Sequence, residues 1–163
     1  MKPVDSTAEI LYLRMLNRSV DKRWVDWAYD MLVAGFDSES LVMLAGETEF
    51  YNQFEMHRLA DKVFEELGLR WDNREQVLKG YTASLLKKVL NKKAPIAATL
   101  DILKDAYLDL GYEDFFNDFF LLSHAKRALT DYGFQHYWKD ATKENIDQVI
   151  IDYFRDWLRK NEE

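Results

Sequence analysis

The sequence predicts an all-α fold, a single-domain irregular bundle of about seven to eight antiparallel helices, and three observations carry that prediction. First, chain breakers are scarce: six glycines and two prolines in 163 residues, about 5% where ordinary usage is ~12%. Second, Gly35, Gly68, Gly111 and Gly133 each follow a helix-period segment and precede an apolar residue, Phe36, Leu69, Tyr112 or Phe134. A glycine just past a helix end adopts the left-handed conformation without a Cβ clash, and the next apolar side chain can fold back on the last turn. The residues it would meet are Met31, Phe64, Tyr107 and Leu129, all apolar. Third, apolar residues recur at i, i+3, i+4, and even the β-prone Val149-Ile150-Ile151 fits that period.

Taken in order, the first helix is expected over 7–17, opened by Ser6 with Glu9 at capping-box spacing. The second covers 21–34, carries Trp24 and Trp27 and stops at Gly35. Asp37 or Ser38 caps a short helix at 39–45 that sends Leu41 and Leu44 inward, while Gly46 lacks an apolar follower. A fourth helix spans 50–67. Asn73 with Gln76 opens a fifth over 74–92, in which Gly80 is expected to mark close packing; Lys87, Lys88, Lys92 and Lys93 gather at its end, where cations complement the helix dipole. Pro95 suits the first position of a helix at 95–110. The segment 113–131 has Phe115, Phe116, Phe119, Phe120, Leu121 and Leu122 on more than one face and is expected to be the central helix. The last helix covers 143–160 through Ile146, Val149, Ile150, Tyr153, Phe154, Trp157 and Leu158. The expected core includes Trp27, Leu41, Leu44, Val63, Leu85, Leu103, Phe119 and Phe154. Joints of two to six residues make consecutive helices antiparallel, and no repeat of fixed period is present.

Composition narrows the function classes. With 48% hydrophobic and 15% aromatic residues the chain is too apolar for disorder, and its length suits one domain. The absence of cysteine removes disulfides, thiolate metal sites and thiol nucleophiles. No run approaches the ~18 apolar residues of a membrane span. The amino terminus meets Asp5 before any signal-like apolar region, so a cytoplasmic protein is expected. A net charge of −7 repels a phosphate backbone, and nucleic acid is not an expected partner.

Candidate chemistry rests on three histidines. His57 lies one turn before Asp61 and two before Glu65, so an imidazole and two carboxylates share a helix face; yet Glu-x-x-His pairs and His-Glu-x-x-His are missing. His124 stands seven residues from both Asn117 and Asp131, on a polar stripe of an aromatic helix that needs hydrogen-bond partners if buried. His136 belongs to Phe134-Gln135-His136-Tyr137-Trp138, an aromatic joint that either covers the end of the core or forms a binding edge. No serine elbow, phosphate loop or dinucleotide fingerprint occurs, and pairs such as Asp37/Glu39 and Glu47/Glu49 read as solvated turns. No cofactor, metal or catalytic residue is expected.

The stretch Trp24-Val25-Asp26-Trp27-Ala28, then Gly35-Phe36-Asp37-Ser38 and Leu41-Val42-Met43-Leu44-Ala45-Gly46, resembles a group of small all-helical bacterial proteins of uncharacterised function. Tyr107-Leu108-Asp109-Leu110-Gly111-Tyr112 is similar to the same group's Tyr-Leu-x-Leu-Gly-Tyr joint. The chain departs from the group at Asn91-Lys92-Lys93-Ala94-Pro95-Ile96, where no second glycine follows. The resemblance implies a helical fold and, loosely, kinship with immunity proteins that pair with bacterial toxins; it implies no catalytic residues. The expected function is therefore a protein-binding module whose acidic surface meets a basic partner, with Tyr137, Trp138 and His136 as candidate contacts. The alternative is a small metal-binding protein or enzyme using His57 and Asp61, or His124.

Overall fold

A computed structural model describes residues 1–162, and it is all-helical, with no strand among the described residues. The helices are α1 (Thr7–Met15), α2 (Lys22–Val33), α3 (Glu39–Ala45), α4 (Gln53–Leu67), α5 (Arg74–Leu90), α6 (Ile96–Asp109), α7 (Asn117–Tyr132) and α8 (Ile146–Asn161), with a 3-10 turn at Asp114–Phe116. The chain divides into two compact units, Met1–Tyr81 and Thr82–Glu163, the division falling within α5.

In the first unit α2 packs on α1 and α3, and α3 on α4. Trp24, Trp27, Met31, Leu41, Leu44, Ala60, Val63 and Phe64 form its buried centre. Trp27 keeps its indole N–H satisfied by donating to Thr7 Oγ1 at 2.9 Å, and Tyr12 stacks on Tyr81 with centroids 3.9 Å apart. In the second unit α7 lies against α6 and α8. Phe119, expected at the centre, is fully buried, with its ring about 6 Å from those of Phe154 and Trp157.

All four expected glycine stops have positive φ. Three are Schellman motifs: Phe36, Leu69 and Tyr112 donate their N–H to the carbonyls of Met31, Phe64 and Tyr107 at 3.1, 2.8 and 2.8 Å. Gly133 differs. Its own N–H donates to the Leu129 carbonyl at 3.0 Å, the single-bond form of the cap, so nothing ties Phe134 back and its ring is exposed.

Other expectations are corrected. The Ser6–Glu9 box does not form, because Ser6 has helical dihedrals and makes no side-chain cap; Glu9 lies instead 3.7 Å from Arg23. Asn17 and Lys92 take left-handed conformations and close α1 and α5 with the same double bonds that glycine supports, so both helices end two residues early. Gly80 is not a close-packing point, since a Cβ built there meets nothing within 4 Å. Leu86 is buried and Leu85 only half-buried, because the inward stripe of α5 runs Leu78, Thr82, Leu86, Val89. Pro95 is the extended cap residue rather than the first helical one, and the aromatic helix begins at Asn117 after the 3-10 turn. Regular α8 starts at Ile146. Thr142 and Asn145, each bonding the other's backbone N–H, tie down the turn before it.

Candidate interaction surfaces

His57 and Asp61 both have structural duties. Asp61 accepts from Arg14 Nε at 2.7 Å and from a terminal guanidinium nitrogen at 3.1 Å, and the same guanidinium lies 4.0 Å over the Trp71 ring. His57 Nε2 donates to the Arg18 carbonyl at 2.7 Å. The two side chains therefore fasten α4 to the end of α1 and the joint after it. Gln53 adds to this fastening: its amide oxygen accepts from Val20 N–H at 2.7 Å, and its nitrogen donates to the carbonyls of Val20 and Phe50. Among the described residues no three histidine, aspartate or glutamate side chains converge on a point where a metal ion could sit.

His124 is half-buried in a row of rings in the second unit. Tyr112 meets Tyr107 at 5.3 Å, Tyr107 meets Phe120 at 4.6 Å, Phe120 meets His124 at 4.4 Å, and His124 meets Tyr137 at 5.3 Å. Burial, with the charges of Lys104 and Arg127 adding to it, lowers the imidazole below its ordinary value. Of the joint residues, His136 and Tyr137 are exposed and Trp138 is half-buried, its ring 5.4 Å from Tyr153. Gln135, which sequence reasoning passed over, holds this joint together. Its Oε1 accepts from the N–H groups of Tyr137 and Trp138, and its Nε2 donates to the carbonyls of Trp138 and Ala141, at 2.5–3.0 Å. The joint is thus built, not slack, and it presents Tyr132, Phe134 and Tyr137 outward.

A broad concavity of the first unit lies between α3 and α4. It encloses about 610 Å³, with Met43, Met56 and Leu59 as its apolar surface and Glu39, Glu47, Glu55, Glu65 and Glu66 around it. Two cations, Arg58 and Lys62, also line it. Arg58 lies 3.6 Å from Glu55, and Lys62 adds its charge to the field at Glu66. Glu66 also accepts from Ser40 Oγ at 2.5 Å and Ser40 N–H at 3.2 Å, bonds that hold its carboxyl below the usual range and tie α3 to α4. Glu39, Glu47 and Glu65 have no cation within 4 Å among the described residues. The groove therefore keeps a net negative field over a methionine-lined floor. Its acids belong to a broader bias, because residues 1–81 carry fifteen carboxylates against ten lysines and arginines.

Sequence reasoning missed the groove. On α4 the signal exists, since Glu55, Arg58, Leu59, Lys62, Glu65 and Glu66 share a stripe at helical spacing. That Met43 and Glu47 face the same hollow follows only from the packing of α3. No family model matches this sequence, and no curated protein or solved structure is significantly similar to it.

Proposed function

We propose that this protein is a protein-binding module that recognises a basic partner. The observation that carries the reading is the α3–α4 groove: an apolar floor that gains by desolvation, ringed by five glutamates, three of which have no cation within 4 Å among the described residues. The arrangement favours a binding surface over a reaction site. The His57–Asp61 pair is consumed in holding α4 to its neighbours, and His124 sits among rings rather than beside a carboxylate or a nucleophile. Tyr137 and His136, exposed on a joint braced by Gln135, are a second candidate contact, together with the half-buried Trp138. A bacterial, cytoplasmic immunity-type role, in which the module holds a basic toxin in check, is the form of this reading that the sequence resemblance suggests.

The experiment is affinity capture of the natural partner followed by stopped-flow association of the two purified proteins over a salt series. Charge steering predicts a basic partner and an association rate that falls as the Debye length shrinks from ~10 Å at 0.1 M salt towards ~3 Å at 1 M. An acidic partner, or a rate indifferent to salt, overturns the reading and leaves the net charge of −7 as a solubility device.

A further inference from the structure

We infer that the element of the partner received by the α3–α4 groove is a basic amphipathic α-helix of about three turns; the inference rests on the protein-binding reading above. Three features of the groove select that occupant. Its length comes from α4, whose lining residues run from Glu55 to Glu66, a distance of about 16 Å at 1.5 Å per residue, or three helical turns. Its floor is aliphatic and thioether, Met43, Met56 and Leu59, without an aromatic ring. Proline-rich segments dock on aromatic-lined grooves and extended strands pair with an open sheet edge; this floor has no ring and the described residues hold no strand. Methionine floors suit a helix instead, because the flexible thioether refits to side chains arriving at i, i+3, i+4 and i+7.

Charge supplies the rest. Glu39 and Glu47 on the α3 side and Glu65 on the α4 side have no cation within 4 Å among the described residues, so lysines or arginines flanking the apolar stripe of the incoming helix meet unneutralised carboxylates along both walls. Met43 is half exposed, so apolar area remains in the groove for the docked helix to cover. Glu66 is occupied differently, as its carboxylate is taken by Ser40 and keeps the walls in register.

The test uses the full chain labelled at its methionine methyl groups and three synthetic peptides of about fourteen residues. One places leucines at i, i+3, i+4 and i+7 among lysines and arginines; the second is a scramble of the same composition; the third carries two central prolines. The helical peptide should shift Met43 and Met56 and leave Met31, buried elsewhere in the unit, in place. It should gain helicity on binding and bind at least tenfold more tightly than the scrambled or proline peptide. Met43→Glu and the Glu47→Lys/Glu55→Lys pair should each weaken it about tenfold, the equivalent of ~1.4 kcal/mol, with unchanged circular dichroism of the protein. No shift at Met43 and Met56 up to millimolar peptide, equal binding of the scramble, or shifts confined to Met1, Met15 and Met31 overturns the inference. None of these touches the broader reading, which falls instead if the captured natural partner is acidic.

Discussion

Gly80 offers the sharpest test of the backbone reasoning, since it sits in the interior of the seventeen-residue α5 without a positive φ and with nothing within 4 Å of a Cβ built upon it. A glycine in a helix interior is disfavoured by about 0.8–1.0 kcal/mol relative to alanine, because the unfolded chain loses more freedom and no side chain covers the helix. The usual compensation, close approach of another backbone, is missing; Gly80 lines instead an open cleft of about 420 Å³ with Ala8, Leu11, Val77 and Leu69. Gly80→Ala should therefore stabilise by about 1 kcal/mol, which for a chain of this size raises the thermal midpoint by roughly 2–4 °C. Gly111 is the internal control. Its φ is +73°, and although a Cβ there also meets nothing within 4 Å, an L side chain at that φ is strained. Gly111→Val should destabilise by more than about 1 kcal/mol. Urea denaturation followed by circular dichroism at the helix band, with matched slopes, reads both signs. A Gly80→Ala variant that is neutral or destabilised would show that the cleft is closed in solution and that the glycine is required by packing after all.

Four other outcomes follow from particular contacts. Arg14→Ala should cost about 1–2 kcal/mol in the same assay, because it removes a two-pronged ion pair and a guanidinium held over Trp71, and the emission of Trp71 should shift. Gln135→Ala should speed amide exchange at Tyr137 and Trp138, whose N–H groups it holds, well before it lowers global stability; exchange unchanged at both would show the clamp to be inert. Trp27→Phe should be more damaging than Trp24→Phe by about 1 kcal/mol, since only the Trp27 indole donates to a protein group, Thr7. The folded chain keeps His124 neutral where the unfolded chain, with its ordinary value of 6.5, takes up a proton. Stability therefore falls as pH drops through 6.5, and the full loss is reached below the lowered folded-state value. His124→Phe should flatten that dependence, and an unchanged pH profile would place the titrating group elsewhere.

Much of the architecture was legible in the residues because its signals are local. A left-handed glycine followed by an apolar residue closes a helix through bonds spanning six residues, so Gly35, Gly68 and Gly111 could be read without knowing what packs where. Residues of equal chemistry on neighbouring positions could not be ranked. Leu85 and Leu86 have the same propensity, and the rotation of α5 alone buries the second. The left-handed cap at Lys92 could not be read, since a lysine side chain does not announce that conformation, whereas Asn17 is of the residue type that most often replaces glycine there.

The division at the candidate sites has the same cause. The sequence by itself determined that the chain is helical and acidic and that it has none of the local signatures of a catalytic site, and it left the Phe134–Trp138 joint open between a cover for the end of the core and a binding edge. Tertiary structure decided the rest. It put His57 on the Arg18 carbonyl and Asp61 on Arg14, groups 39 and 47 residues away in sequence, turning an apparent ligand pair into two fasteners. It also set the glutamates of α3 across from those of α4, so that acids that look like solvated turns line one groove. Helix caps answer to bonds a few residues long; a groove answers to which faces of two helices meet, and that is settled by the burial of Leu41, Leu44, Ala60 and Val63 on their opposite sides.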